Sequence, residues 1–115
     1  GKIQSFMDRV FYSAKSAFVH KPAAVISSSR RAGSVTSMDV LNKHLSISEM
    51  PIVTSNYWNE VHGHTPSDVE QDIEGLDTMY ALGKNMAWML KCIEAGKKAG
   101  IEVPQNKKRT TNFIR

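Results

Sequence analysis

Ala23-Ala-Val-Ile-Ser-Ser-Ser-Arg-Arg-Ala-Gly33 decides the fold. Four apolar residues, ending in the β-branched pair Val25-Ile26, give way at once to hydroxyls, two arginines and a glycine. A buried strand has this pattern where it runs into a polar loop at its carboxyl end. Lys21-Pro22 marks its beginning, since proline is tolerated at the first position of a strand. The small side chains of Ala23 and Ala24 predict close approach by helices. Open α/β sheets bind ligands just outside the carboxyl ends of their strands. Ser27 to Thr36 is therefore the first ligand-contacting segment to consider.

On the N-terminal side, residues 1–13 carry a helical period. Ile3, Phe6, Met7, Val10 and Phe11 fall on one stripe. The connection 13–21 follows, with Phe18 and Val19 packing inside it. On the C-terminal side, Ser34 or Thr36 is placed to cap a helix over residues 35–47. Val35, Met38, Leu41, Asn42 and Leu45 share one of its faces. Its N-terminal N–H groups would point at the polar loop, a natural site for a phosphate, a carboxylate or an electron-rich carbonyl.

Met50 to Ser55 predicts a second, short strand. Asn56-Tyr-Trp-Asn-Glu-Val-His-Gly-His64 then reads as a loop with two large aromatics. Tyr57 and Trp58 either cover core or line a pocket. Thr65-Pro66-Ser67-Asp68 is a helix start with a near capping box. The helical pattern runs from there to Ala99, with Val69, Ile73, Leu76, Met79, Tyr80, Met86, Leu90 and Ile93 on one stripe. Roughly 34 residues would span about 50 Å, so a bend at Gly75 or Gly83 is expected. Gly100 followed by Ile101 is a C-cap pattern. Residues 105–115 form a basic tail whose Phe113 and Ile114 predict docking on this subunit or a neighbour.

The order α-β-α-β-α leaves two strands to carry three amphipathic helices. The natural completion is a right-handed doubly wound α/β domain with earlier β-α units preceding Gly1. The 115 residues suffice for one small domain, and 41% apolar with 23% charged content is ordinary for a globular protein. The net charge of +4 gathers partly in Lys107-Lys-Arg109 and Arg115. No zinc-finger, helix-turn-helix or aromatic-and-basic sheet motif accompanies it, so nucleic acid is not an expected partner. No apolar run reaches the roughly 18 residues of a membrane span. The single cysteine, Cys92, excludes an internal disulfide, and a reduced, cytoplasmic setting is the default expectation. Cys92 itself reads as a buried structural thiol. His62 and His64 flank Gly63 without the third ligand that a metal site requires, so no metal is expected.

Several stretches in order carry a resemblance. They are Ser5-Phe-Met-Asp-Arg9, Lys21-Pro-Ala-Ala-Val25, Arg30-Arg-Ala-Gly33, and Ser48-Glu-Met-Pro-Ile-Val-Thr-Ser-Asn-Tyr-Trp-Asn-Glu-Val-His-Gly63. Asn85-Met-Ala-Trp88, Lys91-Cys-Ile-Glu-Ala-Gly96 and Thr111-Asn-Phe-Ile-Arg115 continue the series. Together they resemble the C-terminal half of the flavodoxin-like NAD(P)H-dependent FMN reductases, near the iron–sulfur flavoprotein branch. The resemblance implies that residues 1–104 are the C-terminal half of a flavodoxin-like FMN-binding domain, with strands four and five of a parallel 2-1-3-4-5 sheet.

By the same resemblance, the cofactor is FMN and the co-substrate NAD(P)H, with an acceptor that the residues do not identify. Ser28, Ser29, Arg30, Arg31, Ala32 and Gly33 would lie beside the flavin. Tyr57, Trp58 and His62 would wall its pocket. Arg30 and Arg31 would hold negative charge on reduced flavin or on a nicotinamide phosphate; the alternative is surface salt bridging. The main phosphate-binding loop, and any cysteines for an iron–sulfur cluster, would precede Gly1. No residue here is expected to act as a catalytic acid or base. A homo-oligomer, dimer or tetramer, is expected. The competing readings are a flavin electron carrier without reductase activity, and a non-catalytic interaction module that folds by oligomerising.

Overall fold

The computed structural model describes residues 1–114. Arg115, the last residue of the basic tail, lies outside the described residues. Four helices and two strands follow one another: α1 (Lys2–Ala14), β1 (Ser27–Ser29), α2 (Ser34–Ile47), β2 (Glu60–His62), α3 (Pro66–Val69) and α4 (Ile73–Lys98). A short 3₁₀ turn, Lys15–Ala17, closes α1. The architecture is α/β, with β1 and β2 paired in parallel and joined through α2. A parallel pair cannot be closed by a tight turn, so the crossover helix is a necessity of the pairing.

The pairing begins before the regular strands. His20 N–H donates to the Glu49 carbonyl at 3.0 Å, Ala23 N–H to Pro51 at 3.0 Å, and Val53 N–H to Ala23 at 2.8 Å. Ala23 faces Ile52 in an isolated parallel bridge. The second segment then leaves the ladder and returns with four extra residues, so that Ser27 faces Glu60, Ser28 faces Val61 and Ser29 faces His62. The predicted strand 23–28 is thus displaced toward its carboxyl end. The predicted strand 50–55 contributes only a bridge, and the regular strand lies in residues 60–62, read from sequence as loop. The reason lies in the hydrogen bonding at the interruption. Ser27 N–H donates to the Asn59 carbonyl at 3.0 Å, and the Asn59 side-chain amide donates to the Val25 carbonyl at 3.2 Å. A side chain thereby satisfies the backbone acceptor that the interrupted ladder would leave orphaned.

The long C-terminal helix is also interrupted, though not at a glycine. α3 starts at Thr65 as predicted, with its hydroxyl accepting from Asp68 N–H and Pro66 in the first turn. It stops after one turn. Asp72 then caps α4 by accepting from Gly75 N–H. Gly75 lies so close to β2 that a Cβ there would meet the Asp72 carboxylate and come within 3.1 Å of the Val61 Cα. The buried residues of α4 are Gly75, Thr78 and Leu82, and Gly75 is the one that meets β2. The predicted stripe is only partly engaged, since Ile73 and Tyr80 are 72% and 70% exposed. Gly100, at φ 82°, ends the helix, and Ile101 N–H returns to the Gly96 carbonyl at 2.9 Å. Cys92 is exposed rather than buried. Its place in the apolar period does not bury it, because α4 runs on well past the short β2.

Phe11, Met38, Leu45, Val53 and Leu82 form the buried core. Phe18 stacks on Phe11 with ring centroids 4.6 Å apart. Ile3 and Phe6 of the predicted α1 stripe stay exposed. The accessible surface is 9269 Å² for a 12.8 kDa chain, where a compact monomer of that mass exposes about 6,300 Å². The principal extents of 50 × 46 × 21 Å describe a thin slab. No helix among the described residues is long and apolar enough to cross a membrane.

Two glycines should respond oppositely to alanine. At Gly63 a Cβ would sit 2.6 Å from Val69 Cγ2 and 2.7 Å from the Val69 backbone nitrogen. Gly63→Ala is expected to cost about 1–3 kcal/mol, read from the urea midpoint. At Gly83 a Cβ meets nothing within 4 Å, and Gly83→Ala should stabilise by about 0.5–1 kcal/mol through helix propensity.

Candidate functional site

The carboxyl ends of β1 and β2 lie side by side, and the start of α2 meets them. Gly33, at φ 92°, occupies the N-cap position of α2, and no side chain caps the helix there. Ser34 does not cap. It is the first helical residue, and its buried hydroxyl donates to Ser29 Oγ at 2.6 Å. That bond ties the last residue of β1 to the first of α2 and leaves the helix's leading N–H groups without a side-chain partner. Between these anchors, Arg30, Arg31 and Ala32 are exposed, as is Ser28 on β1. A Cβ added at Gly33 would meet nothing within 4 Å, so the turn has open space in front of it.

β2 delivers His62 directly opposite Ser29, and Gly63 N–H donates to the Ser29 carbonyl at 3.1 Å. His62 is fixed from behind. Its backbone N–H donates to Asp72 Oδ2 at 2.7 Å, and its Nδ1 lies 3.9 Å from the same oxygen. The other Asp72 oxygen accepts from Gly75 N–H at 3.0 Å. These two backbone N–H donors, His62 first and then Gly75, hold the Asp72 carboxyl below the usual carboxylate value. One carboxylate thus joins the end of β2 to the start of α4.

Tyr57 and Trp58 stand elsewhere. They ride on the excursion between the two pairing segments, with ring centroids 6.1 Å apart and planes at 50°. The Ser55 hydroxyl lies 2.7 Å from both the Tyr57 carbonyl and Asn59 Oδ1, acceptors that share its one proton. It also accepts from Tyr57 N–H at 3.3 Å. Asn85 of α4 donates to the Thr54 carbonyl at 2.8 Å. The loop is therefore a stapled turn, and its rings are 61% and 56% exposed. They line a cleft of ≈ 570 Å³ with Val35, Met38 and Asp39 of α2. None of residues 28–33 lines that cleft, nor does His62.

The structure thus brings Ser29, Ser34, Gly33 and His62 together at the strand ends, with Ser28, Arg30, Arg31 and Ala32 on the same turn. It sets Tyr57 and Trp58 apart, in the cleft they line with Val35, Met38 and Asp39 of α2. Sequence reasoning missed Asp72, Asn59 and Ser55. Asp72-x-x-Gly75 is an N-cap pattern, but it sits inside an apparently unbroken helical period that hides it. Asn59 and Ser55 gave no signal beyond being polar loop residues. No group of three or more metal-ligating side chains occurs among the described residues.

A family model described as NADPH-dependent FMN reductase matches residues 1–65. The match takes in α1, β1, α2 and β2, and with them the whole strand-end turn. No curated protein and no solved structure matches the chain.

Asp72 makes acid sensitivity a test of this geometry. Its lowered carboxyl contributes stability that is present in full above the ordinary value of 3.8 and lost as pH falls through the lower folded value. Asp72→Ala should cost about 1–2 kcal/mol at neutral pH, the worth of a helix cap with backbone partners. The variant should also show a flatter loss of stability below pH 3.8 than the parent, measured by urea unfolding across that range. An unchanged acid profile would contradict the role given to Asp72.

Proposed function

The chain belongs to the NADPH-dependent FMN reductase family, and we propose that its strand-end turn forms one side of an FMN site in an NAD(P)H-dependent oxidoreductase. The observation that carries this reading is the parallel register of Ser29 with His62 beside an uncapped α2 N-terminus. The donor set fits an isoalloxazine edge, which presents carbonyl oxygens and ring nitrogens. Backbone N–H groups at a helix start, two exposed guanidinium groups and open space at Gly33 all favour a group whose edge carries hydrogen-bond acceptors or negative charge.

Bound FMN would accept hydride from NAD(P)H and return electrons to an acceptor singly or in pairs. The residues of this chain would bind and orient. Arg30 and Arg31 carry permanent charge and would hold the negative charge that reduction creates, or the phosphate of the nicotinamide nucleotide. The Ser29–Ser34 bond would keep the turn and the helix start in fixed relation. His62, held by Asp72, would form the pocket edge on the β2 side. Tyr57 and Trp58 would contribute from their separate cleft to the outer wall, facing substrate or a neighbouring subunit. An iron–sulfur cluster would enter this reading only through cysteines N-terminal to Gly1.

In this reading residues 1–104 are the C-terminal half of a flavodoxin-like domain, and preceding β-α units complete the sheet. The support is the edge of β1 opposite β2, which has no partner among the described residues. Ile26, just before β1, is 61% exposed. Such an edge invites a further strand.

FMN titration followed by flavin fluorescence tests the proposal, on this chain and on one extended upstream. Saturable binding, with anaerobic bleaching by NADPH, is the expected outcome for the extended chain. Arg30→Ala with Arg31→Ala should weaken FMN affinity by about tenfold or more, the equivalent of one charge-assisted contact. Absence of FMN binding by both chains would overturn the reading.

The same open edge and exposed apolar stripes support a second reading, in which the 115 residues act as a module that assembles by self-association. Sedimentation of this chain should then give a dimer or tetramer. A well-folded monomer would remove the second reading.

A further inference from the structure

A groove of ≈ 1070 Å³ runs between α1 and α2, away from the strand ends. It shares only Asp39 with the aromatic cleft and no residue with the turn 28–33. Its apolar surface comes from Phe11 and Tyr12 on α1 and from Val40 and Ile47 on α2. The volume is of the size that holds a small organic molecule.

The charges around the groove are unbalanced. Arg9, Lys15, Lys43 and Lys108 line it, against Asp8 and Asp39. Asp8 is already engaged, its Oδ1 lying 2.8 Å from His44 Nε2. No carboxylate among the described residues pairs with any of the four cations. Lys108 comes from the C-terminal tail, which Asn106 moors by donating to Glu49 Oε2 at 3.0 Å. The tail thus adds a cation to a rim that is already cationic.

Two polar side-chain atoms are buried behind the wall. Ser48 is fully buried and lines the groove, and its hydroxyl has no partner. His44 Nδ1 is likewise buried and unpaired. Buried polar atoms of this kind are costly unless something satisfies them. An apolar floor and a cationic rim are complementary to a molecule with an anionic oxygen head and an apolar body.

We propose that the groove between α1 and α2 binds an amphipathic carboxylate, with its head at the Arg9–Lys43–Lys108 rim and its body on Phe11, Val40 and Ile47. The site is separate from the strand-end turn, so it stands or falls independently of the flavin reading. A polyanion such as nucleic acid would use the rim and leave the apolar floor bare. A second copy of the chain would bring the same cationic rim against itself.

The probe is dansyl-undecanoate, titrated into the full 115-residue chain by fluorescence. Saturable binding at one site per chain is expected, weakened by added salt and not displaced by saturating FMN. Arg9→Glu with Lys43→Glu should weaken it by about tenfold, because two rim charges change sign. Ile47→Asp should weaken it comparably; Ile47 is 65% exposed, so the fold tolerates the change. Trp88→Ser on α4, outside the groove, should leave binding unchanged. Helical circular dichroism serves as the check that each variant is folded. The proposal is overturned by absence of saturable binding, by equal affinity for the neutral dansyl-undecanol, or by equal loss in the Trp88 variant. Probe binding that disappears as protein concentration rises would also overturn it, since a second copy would then be the occupant.

Discussion

The parallel pairing of residues 20–29 with residues 49–63 is the constraint on which everything else rests. It demands a crossover, and α2 is that crossover. It places the carboxyl ends of both strands at one edge, which is where the start of α2 must also lie. Because the second segment carries four extra residues, the ladder survives only if the interruption satisfies its own backbone. Asn59 does so by reaching back to the Val25 carbonyl, and Ser55 closes the loop from within. The aromatic pair is pushed outward as a consequence, so the same hydrogen bonds that preserve the strand end also create a separate cleft.

Asp72 plays a similar linking part for the C-terminal half. Its two oxygens take one backbone N–H from β2 and one from α4. A short strand has few ladder bonds, and a long helix packed on it gains little from three buried residues. A carboxylate that bonds to both is the economical joint between them. Gly75 permits the close approach, and Gly63 allows the turn into α3. Beyond this joint α4 extends past the strand, and its apolar residues there remain open to solvent.

The strand-end turn and the family match point the same way. The match covers the segment that contains the turn, and the turn presents the uncapped start of α2 and two exposed arginines. The groove on the other side of α2 has a different chemistry, cationic at its rim and apolar at its floor. α2 therefore separates two surfaces, one shaped by its first turn and the other by its last three.

The sequence by itself determined the local elements. Thr65-Pro66-Ser67-Asp68 specified a helix start, Gly100 a helix end, and residues 35–47 a helix, because caps and periods act within a few residues of chain. Arg30-Arg31-Ala32-Gly33 was legible as the polar turn at a strand end for the same reason. Only the tertiary structure decided that Glu60-Val61-His62 is the strand, that Tyr57 and Trp58 stand apart from Arg30 and Arg31, and that Asp72 divides the last helix. It also decided which face of α4 is buried and that Cys92 is not. Each of these depends on a bond or contact with a segment distant in sequence, such as Asn59 with Val25 or Asp72 with His62. A period of two or of 3.6 records which residues can share a face; the partner that covers the face is chosen by the rest of the chain.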